Sequence, residues 1–530
     1  MIKKWMKKLL KSEKLQKIDE DYVKLRSLTK NWATLIVTMF IGVASVLSGE
    51  YFAWNAGLKF GFINMLIASI LITFAYWVLV CSLGELTSAL PFSGGSTTFA
   101  TAAFGPLLGC IVGYCYLMAL ILATAQNGIW FSSFILQVFS LSKAYLPLSC
   151  FATFVLGLVI IIDIRVFAKF IVILPMVSIC FSIAFVVLMI PCLNDYVGNL
   201  HLNELAFQPS FMGVIHCLPF AMWFYVGIEC IPVCAEETAD PRKDTQIAIR
   251  GGMLMLTILA WISFIFVSGA PPGITFYSHS ANPLVDSIMY NYGIQRDSKL
   301  GIFMSLVSLV SIFVSYIGMM FPATRFLYGL SRSGYLPPSL SLTKQTGSFG
   351  TGSPLYALAC VNVCVVILWA LSITFDTSVE SFILMGSIFY ANFAYLVDFL
   401  SYCVLHFKAS SLKRYYKSRF GYTGCVLGII ICGMTVYSCT LISASLIAFW
   451  IVFIQVILTI PYYIFFIRKR LVLSPERLFI KNQVKNMFLS DINKIGESTT
   501  DEKTTTIDTK KKPVILKVRS FEPSNLNTFQ

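Results

Sequence analysis

Long apolar stretches separated by short polar ones run along most of the sequence. A helix needs about 20 apolar residues to cross the hydrocarbon core of a bilayer. Twelve stretches qualify, and these predicted spans 1 to 12 cover residues 32–55, 62–84, 107–137, 146–164, 169–193, 212–235, 251–271, 301–328, 355–374, 380–405, 422–442 and 445–467. The runs are too long for the alternating strands of a membrane β-barrel. The pattern therefore predicts an all-α integral membrane protein with about twelve transmembrane helices.

The composition leads to the same class. Of the 530 residues, 57% are apolar and 12% are charged, and the mean hydropathy is +0.76. Soluble proteins have about 45–50% apolar and about 25% charged residues. The chain has too little charge to coat a soluble surface, which excludes a soluble enzyme, a nucleic-acid-binding module and a disordered scaffold.

The net charge of +14 is concentrated at the two ends of the chain. Residues 1–30 and 468–530 each carry a net +6, and the 437 residues between them carry only +2. Among the loops, those on the side of the tails carry 13 Lys and Arg residues and the opposite loops carry 4. Cytoplasmic segments hold the positive excess in membrane proteins. We therefore expect both termini in the cytoplasm, in a multi-pass protein of the plasma membrane.

These patterns divide the chain into three parts. Residues 1–30 form a cytoplasmic basic tail, residues 31–467 a twelve-helix domain in the lipid bilayer, and residues 468–530 a cytoplasmic basic tail. The last segment is rich in Thr and Lys, and we expect it to be largely disordered.

Two of the predicted spans contain small residues next to an acid. In span 1 the small-residue stretch 42–49 ends at Glu50, and in span 6 Gly227 precedes Glu229. Gly-interrupted segments at corresponding positions of two halves point to a substrate site, because unwound backbone is tolerated at membrane depth only where it faces a cavity or protein. The alternative is that the small residues only allow close helix packing.

Three acids lie more than one helical turn inside the ends of the predicted spans, where charge is costly. The carboxylate of Glu50, beside the predicted break, would pair with a cationic amine or carry a proton. Glu229 is interpreted as a structural acid that caps the second half of span 6 or pairs within the bundle. Asp398 in span 10 is also interpreted as structural.

Span 8 offers hydroxyls on one face, from Ser308, Ser311 and Ser315. Ser311 and Ser315 are candidates to ligate a sodium ion near span 1. The alternative is that these hydroxyls bond back to carbonyls of their own helix. The coupling ion is therefore left open between H⁺ and Na⁺, and no other cofactor is expected. The scattered histidines and the absence of zinc-spaced cysteines suggest no metal site, and no catalytic constellation points to an enzyme.

Several motifs resemble the amino acid–polyamine–organocation (APC) superfamily. Residues 84–96 and 103–109 resemble its signature around helices 2 and 3. Residues 219–244 are similar to its helix 6 and cytoplasmic exit, and residues 331–337 to the loop after helix 8. The resemblance covers roughly residues 30–465.

Within the superfamily, the chain resembles most the branch of ethanolamine and amino acid permeases. Residues 48–58 and 282–285 are similar to ethanolamine permeases, in which an Asp commonly stands at the position of Glu50. Residues 96–98 depart from the more common aromatic-containing sequence at that place.

The resemblance implies a five-plus-five inverted repeat, with repeat one at about 32–193, repeat two at about 212–405 and two extra helices at about 422–467. It also implies alternating access, with the substrate held at the unwound centres of spans 1 and 6. The substrate-binding residues that it implies are Leu47, Ser48, Gly49 and Glu50 of span 1, Tyr116, Ala119, Leu120 and Thr124 of span 3, and Trp223, Tyr225, Val226 and Gly227 of span 6.

The expected function is secondary active transport of a small amino compound, an amino acid or an ethanolamine-like amine. The alternatives are a nontransporting nutrient sensor on the same fold and a transporter of polyamines or cationic amino acids. No nucleic acid is expected as a partner. A disulfide-linked heavy subunit is not expected, because the loop 138–145 contains no cysteine. The oligomeric state is left open.

Overall fold

A computed structural model describes residues 20–204, 207–343, 353–375, 377–408, 414–441, 443–480 and 482. Over these residues the chain is almost entirely helical, and ten helices are long and apolar enough to cross a membrane. They are span 2 (Phe62–Ala89), span 3 (Pro106–Val138), span 4 (Leu146–Ile162), span 5 (Ile164–Met189), span 7 (Asp244–Ser268), span 8 (Lys299–Arg332), span 9 (Leu355–Phe375), span 10 (Thr377–Lys408), span 11 (Gly421–Leu441) and span 12 (Ser443–Tyr462).

The two remaining predicted spans are broken. Span 1 consists of Leu35–Val46 and Ser48–Phe60, which are bent by 43° relative to each other. Span 6 begins as the helix Phe211–Met222 and ends as the 3₁₀ helix Ile228–Glu237. The predicted segment 212–235 is therefore not one continuous helix. With the bent span 1 counted as one crossing, the described residues contain eleven candidate spans, and the predicted span 6 is represented by a shorter apolar helix followed by a 3₁₀ helix.

Several helices begin where the sequence supplies a side-chain cap. The Thr34, Ser210 and Ser298 hydroxyls each accept a hydrogen bond from the backbone N–H three residues later. Such caps satisfy one of the N–H groups that a helix start leaves free. They fix the starts of the first half of span 1, the first half of span 6 and span 8.

Burial separates a central group of spans from a peripheral one. In the most apolar part of spans 3 and 10, 78% of the residues are buried, against 22% in span 12 and 28% in spans 4 and 5. Span 3 packs against spans 8 and 10, and the first half of span 1 packs against spans 5, 7 and 8. The two broken spans therefore lie inside a protein environment.

Both described ends of the chain reach the same end of span 8. The Tyr22 hydroxyl donates to the Arg332 carbonyl over 3.1 Å, and Arg332 Nε donates to Glu476 Oε1 over 2.8 Å. The two described ends of the chain therefore lie close together. Their placement on the cytoplasmic side of the membrane stays a prediction.

The first residues of the predicted C-terminal tail are packed against the helical domain. Leu471 and Ser474 are fully buried, and Glu476 is 3% exposed. The predicted disorder of the remaining tail lies outside the described residues, as do residues 1–19. The division into two inverted repeats stays a prediction.

Candidate functional site

Span 1 is interrupted at Leu47, next to a side chain of span 8 that enters its hydrogen-bond ladder. In a continuous helix the Ser48 N–H would donate to the Ala44 carbonyl. Instead it donates to the Ser315 hydroxyl over 2.8 Å, and this hydroxyl donates to the Ala44 carbonyl over 2.9 Å. A side chain inserted into the ladder bends a helix, which accounts for the bend in span 1.

Span 6 leaves its helical path between residues 223 and 227. Gly227 has φ +116°, in the left-handed region that favours glycine. Its N–H donates to Glu229 Oε2 over 2.9 Å. The acid two residues further on therefore holds the turn before the chain continues as the 3₁₀ helix.

Glycines allow the two breaks to touch. A Cβ on Gly49 would lie 1.8 Å from the Trp223 carbonyl oxygen, and a Cβ on Gly227 would lie 3.2 Å from the Ser45 carbonyl oxygen. The position of Gly318 in span 8 also excludes a side chain, since a Cβ added there would lie 2.8 Å from the Ser45 nitrogen. The same glycines thus serve the interruption of the helices and their close packing.

Glu50 lies next to this crossing. Its side chain is fully buried, and neither carboxylate oxygen has a hydrogen-bond partner among the described residues. Its backbone is engaged on both sides, since its N–H donates to the Leu47 carbonyl over 3.3 Å and its carbonyl accepts from Trp54 Nε1 over 3.2 Å. A buried carboxylate without a partner is costly. Its position therefore suits the ammonium group of a ligand or a proton.

The residues of the predicted site are enclosed by protein. Eleven of the twelve are buried, and only Val226 is partly exposed. Trp223 packs against Trp130 with ring centroids 5.9 Å apart, and the Tyr225 hydroxyl lies 2.8 Å from Thr73 Oγ1. Aromatic side chains and one hydroxyl pair therefore line the span 6 side of the crossing.

The predicted residues of span 3 divide into two groups. The Thr124 hydroxyl bonds back to the Leu120 carbonyl over 2.7 Å, and Ala119 is buried on the same helix. Tyr116 packs edge-on against Phe326, and its buried hydroxyl has no hydrogen-bond partner among the described residues. Tyr116 therefore leaves a free hydroxyl in the core, whereas the Thr124 hydroxyl is satisfied by its own helix.

A second polar cluster, formed by Glu229 and the hydroxyls of Tyr395 and Tyr76, joins spans 2, 6 and 10. Glu229 Oε1 accepts a hydrogen bond from the Tyr395 hydroxyl over 2.5 Å, and the Tyr76 hydroxyl lies 3.4 Å from that of Tyr395. Asp398 Oδ2 accepts from the Ser96 hydroxyl over 2.7 Å. Glu229 therefore holds the span 6 turn on one side and span 10 on the other.

The serines proposed as sodium ligands have different partners. The Ser311 hydroxyl donates to the Ser308 carbonyl of its own helix over 2.7 Å. The Ser315 hydroxyl instead reaches span 1, and the nearby Ser45 hydroxyl donates to the Gly318 carbonyl over 2.8 Å. The structure brings Ser315, but not the Ser311 hydroxyl, onto span 1.

Sequence reasoning missed several residues of these clusters. Trp54, Thr73 and Trp130 line the crossing, and nothing in their local sequence marks them. Tyr395 could have been found, because Asn392, Tyr395 and Asp398 repeat every three residues within an apolar run. That spacing places polar groups on one helix face.

A profile of the family described as amino acid permease matches residues 39–473 of this chain. The match covers all twelve predicted spans except the start of span 1, and it includes both breaks. It ends inside the C-terminal segment that packs against span 8.

Individual relatives are distant. An uncharacterized transporter of Rhizobium meliloti is 24% identical over 75% of this chain and 84% of its own length. A branched-chain amino acid permease of Lactococcus lactis is 22% identical over 60% of this chain and 73% of its own length. The vacuolar cationic amino acid transporter 8 of Arabidopsis thaliana is 26% identical over 46% of this chain and 36% of its own length.

Proposed function

The chain belongs to the amino acid permease family, and from that premise we propose that it is a secondary active transporter of a small amino compound that works by alternating access. Membership of the family makes the protein a membrane permease and not an enzyme. The proposed substrate position is the crossing of the two broken spans, beside Glu50.

The observation that carries this proposal is that the Glu50 carboxylate is buried without a hydrogen-bond partner. Its two carboxylate oxygens are buried and without partners, directly after the break in span 1. An ammonium group is common to amino acids and to ethanolamine-like amines. It would supply the missing opposite charge and hydrogen-bond donors.

A net positive substrate is favoured over a neutral zwitterion. The buried carboxylate of Glu50 needs an opposite charge, and the Ser48 N–H at the break donates to Ser315, so this N–H does not serve a substrate carboxylate. The names of two relatives state branched-chain and cationic amino acids as substrates. Of these two classes, the uncompensated charge of Glu50 supports a cationic amino acid, and it suits a polyamine or a simple amine for the same reason.

We also propose that both tails face the cytoplasm and that the protein acts in the plasma membrane. The support is the excess of Lys and Arg in both tails and in the loops on their side. The meeting of both chain ends at Arg332 is consistent with this arrangement.

The experiment is a thermal-shift screen of the purified full-length protein. Arginine, lysine, putrescine, ethanolamine and leucine would be tested with and without sodium. A ligand at about 100 times its Kd stabilises the folded state by about 2.7 kcal/mol. We expect stabilisation by the cationic compounds and its loss in Glu50→Gln, which keeps the size of the side chain and removes the charge.

The matched control is Asp163→Asn. Asp163 accepts the Arg165 N–H over 2.8 Å at the start of span 5, and asparagine caps a helix equally well. This variant should respond to ligands as the unmodified protein does. Full stabilisation of Glu50→Gln by the same compound would remove Glu50 from the site, and stabilisation by leucine alone would contradict the preference for a positive substrate.

A further inference from the structure

An acid at the start of span 10 lies next to the aromatic side of the proposed substrate site. Glu380 belongs to the first turn of span 10 and is partly exposed. Its Oε1 accepts hydrogen bonds from two residues of span 3, from Trp130 Nε1 over 3.1 Å and from Gln126 Nε2 over 3.5 Å. None of the ion pairs found among the described residues includes Glu380. The carboxylate therefore has two neutral donors but no opposite charge.

The amide of Gln126 adds an acceptor that lacks a donor. Its Nε2 is turned to the Glu380 carboxylate, as an acceptor-only group requires, so Oε1 is the other end of the same amide. This oxygen is buried and has no hydrogen-bond partner among the described residues, and the residue is 1% exposed. A buried acceptor without a partner is costly. Beside a carboxylate, it indicates a site for a group that donates several hydrogen bonds and carries a positive charge.

Two indole rings connect this place with the crossing of the broken spans. The ring centroid of Trp130 lies 5.9 Å from that of Trp223. The carbonyl oxygen of Trp223 is the group that would lie 1.8 Å from a Cβ on Gly49, the residue before Glu50. Indole faces attract organic cations. Contacts therefore run without interruption from Glu380 through the two tryptophans to the proposed substrate position.

We propose that Glu380, Gln126 and Trp130 form an outer cation site, which binds the ammonium or guanidinium group of the substrate before the substrate reaches Glu50. The path to Glu50 rests on the proposed transport function, whereas the binding of an organic cation to the three side chains does not. The site is called outer because Trp130 lies in the last third of span 3, towards the loop 138–145, which is predicted to face away from the cytoplasm.

The three side chains suit an ammonium group and not a ligand carboxylate. An ammonium carries three donors and no acceptor. One donor suits the Glu380 carboxylate and a second suits Gln126 Oε1, while the charge lies against the Trp130 ring. Trp130 Nε1 and Gln126 Nε2 donate to Glu380, so they do not serve a negative group of the ligand.

A structural role accounts for a part of this arrangement. An acid in the first turn of a helix is favourable by itself, because the N-terminal end carries a partial positive charge. That role explains Glu380 alone. It does not explain the acceptor of Gln126 without a donor, or the contact of the carboxylate with a tryptophan that packs against Trp223. A cation site explains all three observations.

The first experiment counts binding sites on the purified full-length protein by equilibrium dialysis with radiolabelled arginine. Four forms would be compared, namely the unmodified protein, Glu50→Gln, Glu380→Gln and the double variant. We expect two sites on the unmodified protein, one on each single variant and none on the double variant. A glutamine at position 380 keeps an oxygen that accepts from Trp130 and Gln126, so this variant should fold.

Two further variants make the result specific. Gln126→Leu removes the unpartnered acceptor and keeps the Glu380 charge, and it should weaken the outer site about tenfold. The matched control is Asp297→Asn, which removes an exposed acid from the loop before span 8 and should keep both sites.

The outcomes separate the outer site from the proposed function. Arginine binding that Glu380→Gln leaves unchanged would overturn the outer cation site. If Glu50→Gln leaves both sites intact and Glu380→Gln removes one, the outer site stands and the proposed substrate position at Glu50 is wrong.

The second experiment tests the path in proteoliposomes of defined orientation, by counterflow of radiolabelled arginine. Glu380→Gln removes a charge near the outer end only, so we expect the KM to rise about tenfold for arginine supplied on that side. The KM for arginine supplied on the side of the tails should stay unchanged, and Asp297→Asn should change neither value. An equal rise on both sides would indicate a general effect on the fold and overturn the path. Absence of counterflow in the unmodified protein would also overturn the path and leave the dialysis result standing.

Discussion

A single hydroxyl, that of Ser315, engages both backbone groups that are freed at the break in span 1. It accepts from the Ser48 N–H and donates to the Ala44 carbonyl. Ser315 itself lies 267 positions from Ser48 and 271 positions from Ala44 in the sequence. The break is therefore maintained by tertiary contact with span 8 in addition to the local glycines.

Ser315→Ala tests this role against a matched neighbour. Without the hydroxyl, the Ser48 N–H and the Ala44 carbonyl either bond directly and straighten span 1 or remain buried and unpaired, at about 1–3 kcal/mol for each group. We expect affinity for the stabilising ligand to fall about tenfold or more, which corresponds to about 1.4 kcal/mol. Isothermal titration of the purified protein would measure it.

Ser311→Ala is the control for that experiment. The Ser311 hydroxyl bonds only to its own helix, at the Ser308 carbonyl, so its loss should change the affinity by less than about twofold. Equal losses in the two variants would indicate a general effect of span 8 hydroxyls, such as a sodium site, and not a specific role of Ser315 at the break.

At the scale of elements, residues 471–480 form a C-terminal strap. It lies next to the loop between spans 2 and 3 and to the ends of spans 6 and 8. The Phe479 ring lies 5.4 Å from that of Phe92 in the loop between spans 2 and 3. Glu476 accepts from Arg332 at the end of span 8, and Arg332 Nη1 also donates to Glu236 Oε2 over 2.7 Å at the end of span 6. The strap therefore ties together elements that border both breaks.

One arginine serves two carboxylates at this junction. Arg332 donates to Glu476 through Nε and to Glu236 through Nη1, and the side chains of Arg332 and Glu476 are both buried. A buried arginine is satisfied here by two carboxylates from different parts of the chain.

We expect Glu476→Gln to loosen the strap. It removes one of the two charges that face Arg332, and the pair with Glu236 remains, so the loss should be smaller than the about 3–5 kcal/mol of a fully broken buried pair. Hydrogen–deuterium exchange should become faster in the strap and at the end of span 8. The control is Glu204→Gln, an exposed acid that contacts His201. Unchanged exchange in the strap would show that Phe479 and its apolar neighbours hold it alone.

At the scale of the whole molecule, the sequence predicted the features that arise from local composition. Apolar length predicted the spans, and the glycines next to Glu50 and Glu229 predicted the two breaks. The insertion of Ser315, the hydrogen bond between Ser96 and Asp398 and the packing of the strap were not predicted. Each of these depends on which side chains meet across distant segments, and a single sequence carries no local signal for that.

The predicted topology is argued at this same scale. Twelve crossings would put both chain ends on one side of the membrane, and both described ends meet at Arg332. The excess of Lys and Arg in the tails and their loops predicts that this side is the cytoplasm. Epitopes fused to the two ends should therefore bind antibody only after the plasma membrane is permeabilised. An epitope inserted in the loop 138–145, between spans 3 and 4, should bind antibody on intact cells. If antibody bound only one of the two termini on intact cells, the number of crossings would have to be odd. In this fold, one of the two broken spans would then have to enter the membrane and leave it on the same side.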